Sequence, residues 1–214
     1  MHSRPLAALV LAALTTFVTA PAHADATPEN RQDPAIVRLA AAKGASLKWT
    51  EARPGSSARY GHGEVLVNAP LAAVKTAAVD FAHYKDLHKK LATARVVAKN
   101  GDTVDLYVKL PVKLGPVEIE QWQVIRFAAP RADGEAGFVL EGRGVQGNMK
   151  EGHVVVSARA VDERRTVLKV DLLLQSRLPA PQSLVDEELR DGALDIAAGL
   201  RARAQGNGAV VTSL

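Results

Sequence analysis

The chain has 214 residues, 47% of them hydrophobic, and 27 Lys and Arg against 23 Asp and Glu leave a formal charge of +4. That excess is too small and too scattered for nucleic-acid binding, whose footprint is a clustered basic stripe. There is no cysteine, which excludes disulfide staples, thiolate catalysis and Cys-ligated zinc.

Residues 1–24 read as a secretory signal peptide. Arg4 supplies the charge of a short leading region, residues 6–20 are apolar, and Ala22-His23-Ala24 places small residues where a signal peptidase cuts. The rival reading is a membrane anchor. At about 1.5 Å per residue the apolar run reaches roughly 22 Å, short of a hydrocarbon core of about 30 Å. The expected product begins at Asp25, in the periplasm or outside the cell, with no stable membrane insertion.

Residues 25–58 read as a polar, flexible leader holding a short helix (35–42) and a strand (46–52). Asp33 would cap that helix, Pro34 would open it and Gly44 would end it. The main domain is expected over residues 59–205. It opens with a strand at 63–68. Leu71, Val74, Ala78 and Phe81 recur at helical spacing, predicting a helix from Leu71 that breaks near Asp80. A strand at 93–99 meets another at 103–110 across the turn Asn100-Gly101-Asp102, which has hairpin chemistry. After a turn at 112–115, a long strand covers 117–127. Its alternation slips near Trp122, which reads as a bulge. Turns at 130–134, 147–152 and 162–165 separate strands at 137–145, 153–161 and 166–176. Pro179-Ala180-Pro181 stops the last of these. A long helix then runs to about Ala204, with Ser183 as the expected cap and Val185, Leu189, Ala193, Ile196 and Leu200 as its apolar stripe. Residues 206–214 read as a loose tail.

Strands joined by short turns make an antiparallel meander, and a helix with one apolar stripe must cover it. The expected class is α+β: a curved antiparallel sheet wrapped around a long C-terminal helix. This order resembles the helix-grip fold of the START-like (SRPBCC) superfamily, which includes coenzyme Q-binding and polyketide cyclase/dehydratase proteins. The resemblance covers about residues 59–204. It rests on EVLVNAPLAAVKTAAVDFAHYKDLH, with Ala69, Pro70, Asp80, Phe81 and Tyr84, on the hairpin ATARVVAKNGDTVDLYVKL, and on the closing segment LPAPQSLVDEELRDGALDIAAGLRARA. Two stretches depart from the family pattern: Lys75 or a neighbour stands where the family often has a helix tryptophan, and Leu87 and His88 stand where it often has an aromatic residue and a proline.

The resemblance implies a cavity between sheet and helix that binds a hydrophobic small molecule or lipid, with no cofactor. Candidate lining residues are Leu106, Val108, Trp122, Phe138 and Leu140 on the strands, and Val185, Leu189 and Ile196 on the helix. Arg143, His153 and Gln123 would orient a ligand if they point inward, and would be solvated if outward. Strand parity leaves that open, because one bulge reverses the face. A second reading is a cyclase- or dehydratase-type enzyme, for which His153, Tyr107 and Arg143 are the acid/base candidates.

Gly142-Arg143-Gly144-Val145-Gln146-Gly147 matches GxGxxG. A dinucleotide site needs the third glycine to open a helix, whereas a strand comes next here, so the glycines read as room for sheet bending. The histidines lack metal-ligand spacing. Asp80, Tyr84 and His88 fall four apart and read as a packing motif of the helix. Glu118 and Glu120 share a strand face and read as solvated.

Overall fold

The computed structural model describes residues 34–114 and 117–206. The predicted signal peptide, the leader before Pro34, part of the turn at 112–115 and the tail beyond Gly206 lie outside the described residues.

The elements are α1 (Pro34–Ala41), β1 (Ser46–Ala52), β2 (Arg59–Val67), α2 (Leu71–Val79), a 3-10 segment (Phe81–Leu87), β3 (Thr93–Asn100), β4 (Thr103–Leu114), β5 (Val117–Phe127), β6 (Arg131–Ala132), β7 (Gly137–Gly147), β8 (Glu151–Ala160), β9 (Thr166–Gln175) and α3 (Gln182–Ala204). The strands form one open antiparallel sheet in the order β1-β2-β9-β8-β7-β5-β4-β3, with β6 attached to β7. Most neighbours in that order are also neighbours in sequence. The exceptions are β2 beside β9 and β5 beside β7; the chain crosses from β2 to β3, on opposite flanks of the sheet, through α2 and the 3-10 segment. Asp80 marks the break between those two helical pieces (φ −80°, ψ 64°), at the predicted place.

Residues paired across a ladder share a face. The inner face runs from Val65 and Val67 through Leu168 and Val170, then Val156 and Leu140, to Phe127, Ile125 and Leu106. All of these are buried and belong to one core. Fully burying such a side chain contributes roughly 1.5–3 kcal/mol, so a core of this extent needs no covalent staple. Phe81, Tyr84 and Phe127 close one end, with ring centroids 5.0, 4.9 and 5.9 Å apart. The Tyr84 hydroxyl donates to the Ala78 carbonyl, and burial raises its pKa far above the ordinary phenol value. Tyr84 is therefore a neutral structural clasp, as the packing reading expected.

α3 packs along β2, with β9 and β1 beside it. Two glycines set that approach. A Cβ on Gly61 would lie 2.1 Å from the Leu189 carbonyl carbon, and one on Gly63 would lie 2.4 Å from the Leu194 nitrogen. The helix backbone rests directly on bare strand backbone. Of the expected stripe, Leu189, Ala193 and Leu200 are buried, while Val185 and Ile196 are partly buried against the same core.

Four features differ from expectation. First, α1 and β1 are integral to the fold. β1 pairs with β2 over seven residue pairs, and Ile36 and Leu39 of α1 pack with Val161 and Val167 on the sheet's outer face. Secondly, Ser183 does not cap α3: Pro181 occupies that position, and the Gln182 side chain bonds Asp186 instead. Thirdly, β5 runs without a slip against β4. The bulge lies in β7, where Val145 is skipped between Gly144 and Gln146. Fourthly, β4 extends to Leu114, beyond the expected end at Leu110.

Candidate functional site

The inner face carries seven of the ten expected site residues. Leu106, Val108, Phe138, Leu140 and Leu189 are buried in the main core, and Val185 and Ile196 pack against it. Apolar alternation on each strand places them there. β4, β5 and β7 form the half of the sheet beyond the strands on which α3 is seated.

Two polar side chains interrupt this apolar surface. Gln121 and Gln123 lie two residues apart on β5, opposite Leu110 and Val108 on β4, and are 4% and 3% exposed. Gln121 Oε1 accepts a 3.5 Å bond from the Ser176 hydroxyl. Gln123 Oε1 has no partner. The Gln123 side chain lies across bare backbone: a Cβ on Gly152 would fall 1.7 Å from its Oε1, and a Cβ on Gly144 would fall 2.2 Å from its Nε2. Gly142 likewise yields to Phe127. The GxGxxG stretch is therefore strand, and its glycines seat the side chains of β5.

His88 comes directly after the 3-10 segment and reaches the inner side of α3. Its Nδ1 accepts the Lys90 amide at 3.1 Å, and its Nε2 faces Asp195 at 3.6 Å. Burial holds its pKa below the ordinary value, against the opposing pull of Asp195. Asp80, Tyr84 and His88 form no hydrogen-bonded row with one another. Asp80 instead accepts from His83 and from Arg203 of α3.

Trp122, Arg143 and His153 fall on the outer face, away from α3. The alternation of each strand decides this: Gln121 and Gln123 flank Trp122, Gly142 and Gly144 flank Arg143, and Gly152 and Val154 flank His153, all facing inward. Their expected role in orienting a ligand between sheet and helix does not fit this placement. Tyr107 is also outward, its ring tilted against Trp122 with centroids 5.8 Å apart. All three acid/base candidates of the enzyme reading thus lie on the wrong side of the sheet for a site under the helix.

They build a surface network instead. Tyr60 Oη and His153 Nδ1 are 2.7 Å apart, and His153 Nε2 and Glu141 Oε1 are 2.9 Å apart. A carboxylate only accepts, so Nε2 donates to Glu141, and in the neutral imidazole Nδ1 accepts the Tyr60 hydroxyl. Arg143 pairs with the same carboxylate. Burial pushes Glu141 up, but the hydrogen bond from His153 and the Arg143 charge outweigh it and hold the carboxyl below its usual range. On the neighbouring row, His62 bonds Asp171 at 2.6 Å and stacks on Trp49 at 4.9 Å. Among the described residues no group of three or more His, Cys, Asp or Glu is placed to hold a metal.

A separate hollow of about 590 Å³ opens on the far flank, between Phe81, the β3–β4 hairpin and the segment Ala128-Ala129-Pro130. None of the ten expected residues lines it.

No protein-family model matches the chain, and no curated protein does. Solved structures do. The STAR-related lipid transfer protein of Xanthomonas axonopodis aligns with a TM-score of 0.63 at 14% identity, over 77% of this chain and 95% of its own. A START superfamily protein from Mycobacterium smegmatis aligns at 0.56 and 16% identity, over 69% and 97%. Human StAR-related lipid transfer protein 5 aligns at 0.60 and 9% identity, over 79% and 91%. The fold is START-like. The helix grip named from the sequence is thus the architecture observed, and identities this low speak to the fold alone. Sequence reasoning missed Gln121. The signal for it was two glutamines at strand spacing beside apolar residues, which also produced the apparent slip at Trp122.

Proposed function

We propose that this chain is a binding protein that holds a hydrophobic small molecule or lipid within its helix grip and performs no chemistry on it. One observation carries the reading: α3 is seated on β1, β2 and β9, while the apolar inner faces of β4, β5 and β7 lie beyond the strands it grips. Ligand sites form where a concave apolar surface meets a few convergent polar groups, and Gln121 and Gln123 are such groups. The lipid-transfer names borne by two of the structural neighbours agree with this reading.

The test is titration with Nile red, joined to native mass spectrometry of protein purified from its own host. The expected result is saturable binding of one dye per chain, lost in Val108→Trp, which fills the inner surface, provided circular dichroism shows the variant folded. An absence of dye binding and of any copurifying apolar molecule would overturn the proposal.

The reading includes export through residues 1–24. N-terminal sequencing of the protein from its own host should begin at Asp25, and a chain beginning at Met1 would refute it.

A further inference from the structure

The sheet keeps two amides where its pattern calls for apolar side chains. Each β5 residue of that parity faces inward, and Ile125 and Phe127 continue the row as expected. A leucine at 123 would satisfy the pattern. An amide oxygen buried without a partner destabilises the fold relative to one that is bonded. Gln123 Oε1 is such an atom, in a side chain that is 3% exposed. Gly144 and Gly152 are bare where a Cβ would fall on this amide, so the amide keeps this position only beside glycines. Bare glycines within strands also weaken a sheet. Three positions thus sacrifice local stability to hold one amide at the inner surface.

We propose that Gln123 is the specificity residue of the helix grip, selecting an apolar ligand whose single polar end is an uncharged hydrogen-bond donor, a hydroxyl or an N–H. The inference rests on the binding function proposed above. An amide oxygen accepts and does not donate, so the unpaired Oε1 calls for a donor. Gln121, with its long 3.5 Å bond from Ser176, lies two residues along the same face to receive a second contact. Charge argues against an acidic head. Among the described residues, the buried polar or charged ones are His62, Glu64, His88, Asp105, Gln121, Gln123 and Thr166. None of them is a lysine or arginine, and His62, Glu64 and Asp105 belong to the outer face. Arg59, on the α3 side of β2, is already paired with Asp186 at 2.9 Å, so a carboxylate moved under the helix would be desolvated without a free cationic partner.

The experiment compares three ligands of equal chain length by displacement of Nile red: 1-decanol, its methyl ether and decanoate at pH 8. The full chain is used, native and as Gln123→Leu, with Gln123→Met as a second variant should leucine fail to fold. Native protein should bind 1-decanol about tenfold more tightly than the ether, which lacks the donor, and decanoate more weakly than the alcohol. The substitution should reduce the alcohol-to-ether ratio to about one while leaving ether affinity within about twofold. Failure of native protein to bind Nile red at all overturns the binding function itself, and failure of all three ligands to displace bound dye overturns the ligand class proposed for Gln123. Equal binding of alcohol and ether by native protein, or a preference that persists in both variants, overturns the role of Gln123 alone. A crystal structure of the decanol complex in which an ordered water caps Oε1 and the hydroxyl lies elsewhere overturns it too.

Discussion

Replacing Gly63 by alanine tests the central contact of the fold. The new methyl group would meet backbone rather than a side chain: Leu194 N at 2.4 Å, with the Ala193 carbonyl carbon and Leu194 Cα at 2.5 Å. Ordinary carbon contacts lie near 3.5–4.0 Å, so strand and helix must part by about 1 Å. Helix backbone cannot rotate aside as a leucine methyl can. The cost belongs at the upper end of the overpacking range, about 3 kcal/mol. For a domain of this size that lowers Tm by roughly 6–12 °C. Gly192→Ala supplies the contrast on the same helix. Its nearest neighbour is the Leu172 Cδ2 methyl at 3.2 Å, a side-chain end that can yield by a few tenths of an ångström. Alanine also gains about 1 kcal/mol of helix propensity over glycine, so Tm should stay within about 2 °C of native or rise. Differential scanning calorimetry of both variants is the assay. A Gly63→Ala protein that melts with the native chain would refute the direct seating of α3 on β2.

The site yields two more expected outcomes. His88 is held neutral by burial, so its folded pKa lies below its unfolded one. Its contribution is fully present above the unfolded value of about 6.5 and is lost as pH falls toward the folded value. Urea denaturation at pH 7 and pH 5 should show native protein losing more stability than His88→Leu over that interval, and equal losses would remove His88 from the account. Arg143→Ala and His153→Ala, both on the outer face, should leave Nile red affinity within about twofold of native. A change of tenfold or more in either would place the ligand on the other side of the sheet.

The fold was legible because its signals are local. The break at Asp80, the Asn100-Gly101-Asp102 turn and the proline-led closing helix each arise from residues close in sequence. The face of a strand is legible only when its alternation is clean. In β8 the run Val154-Val155-Val156 is apolar on both faces, so it cannot say where His153 points. In β5 the alternation is regular in space, but Gln121 and Gln123 stand inside and Trp122 outside, which mimics a slipped register. Patterning tends to fail at functional positions, and here it failed at the pair of amides. The seating of α3 on Gly61 and Gly63 had no signal in a single strand, because it depends on a helix more than a hundred residues away.

The bulge at Val145 has one more consequence. Glycines on one face of a strand recur every two residues, and a single bulge stretches one interval to three. Gly142 to Gly144 is one pleat, and Gly144 to Gly147 is one pleat plus the extra residue. A bare-backbone strand with one bulge therefore writes GxGxxG with no phosphate in view. The dinucleotide fingerprint can arise from sheet geometry alone, and only the element after the third glycine, helix or strand, tells the two apart.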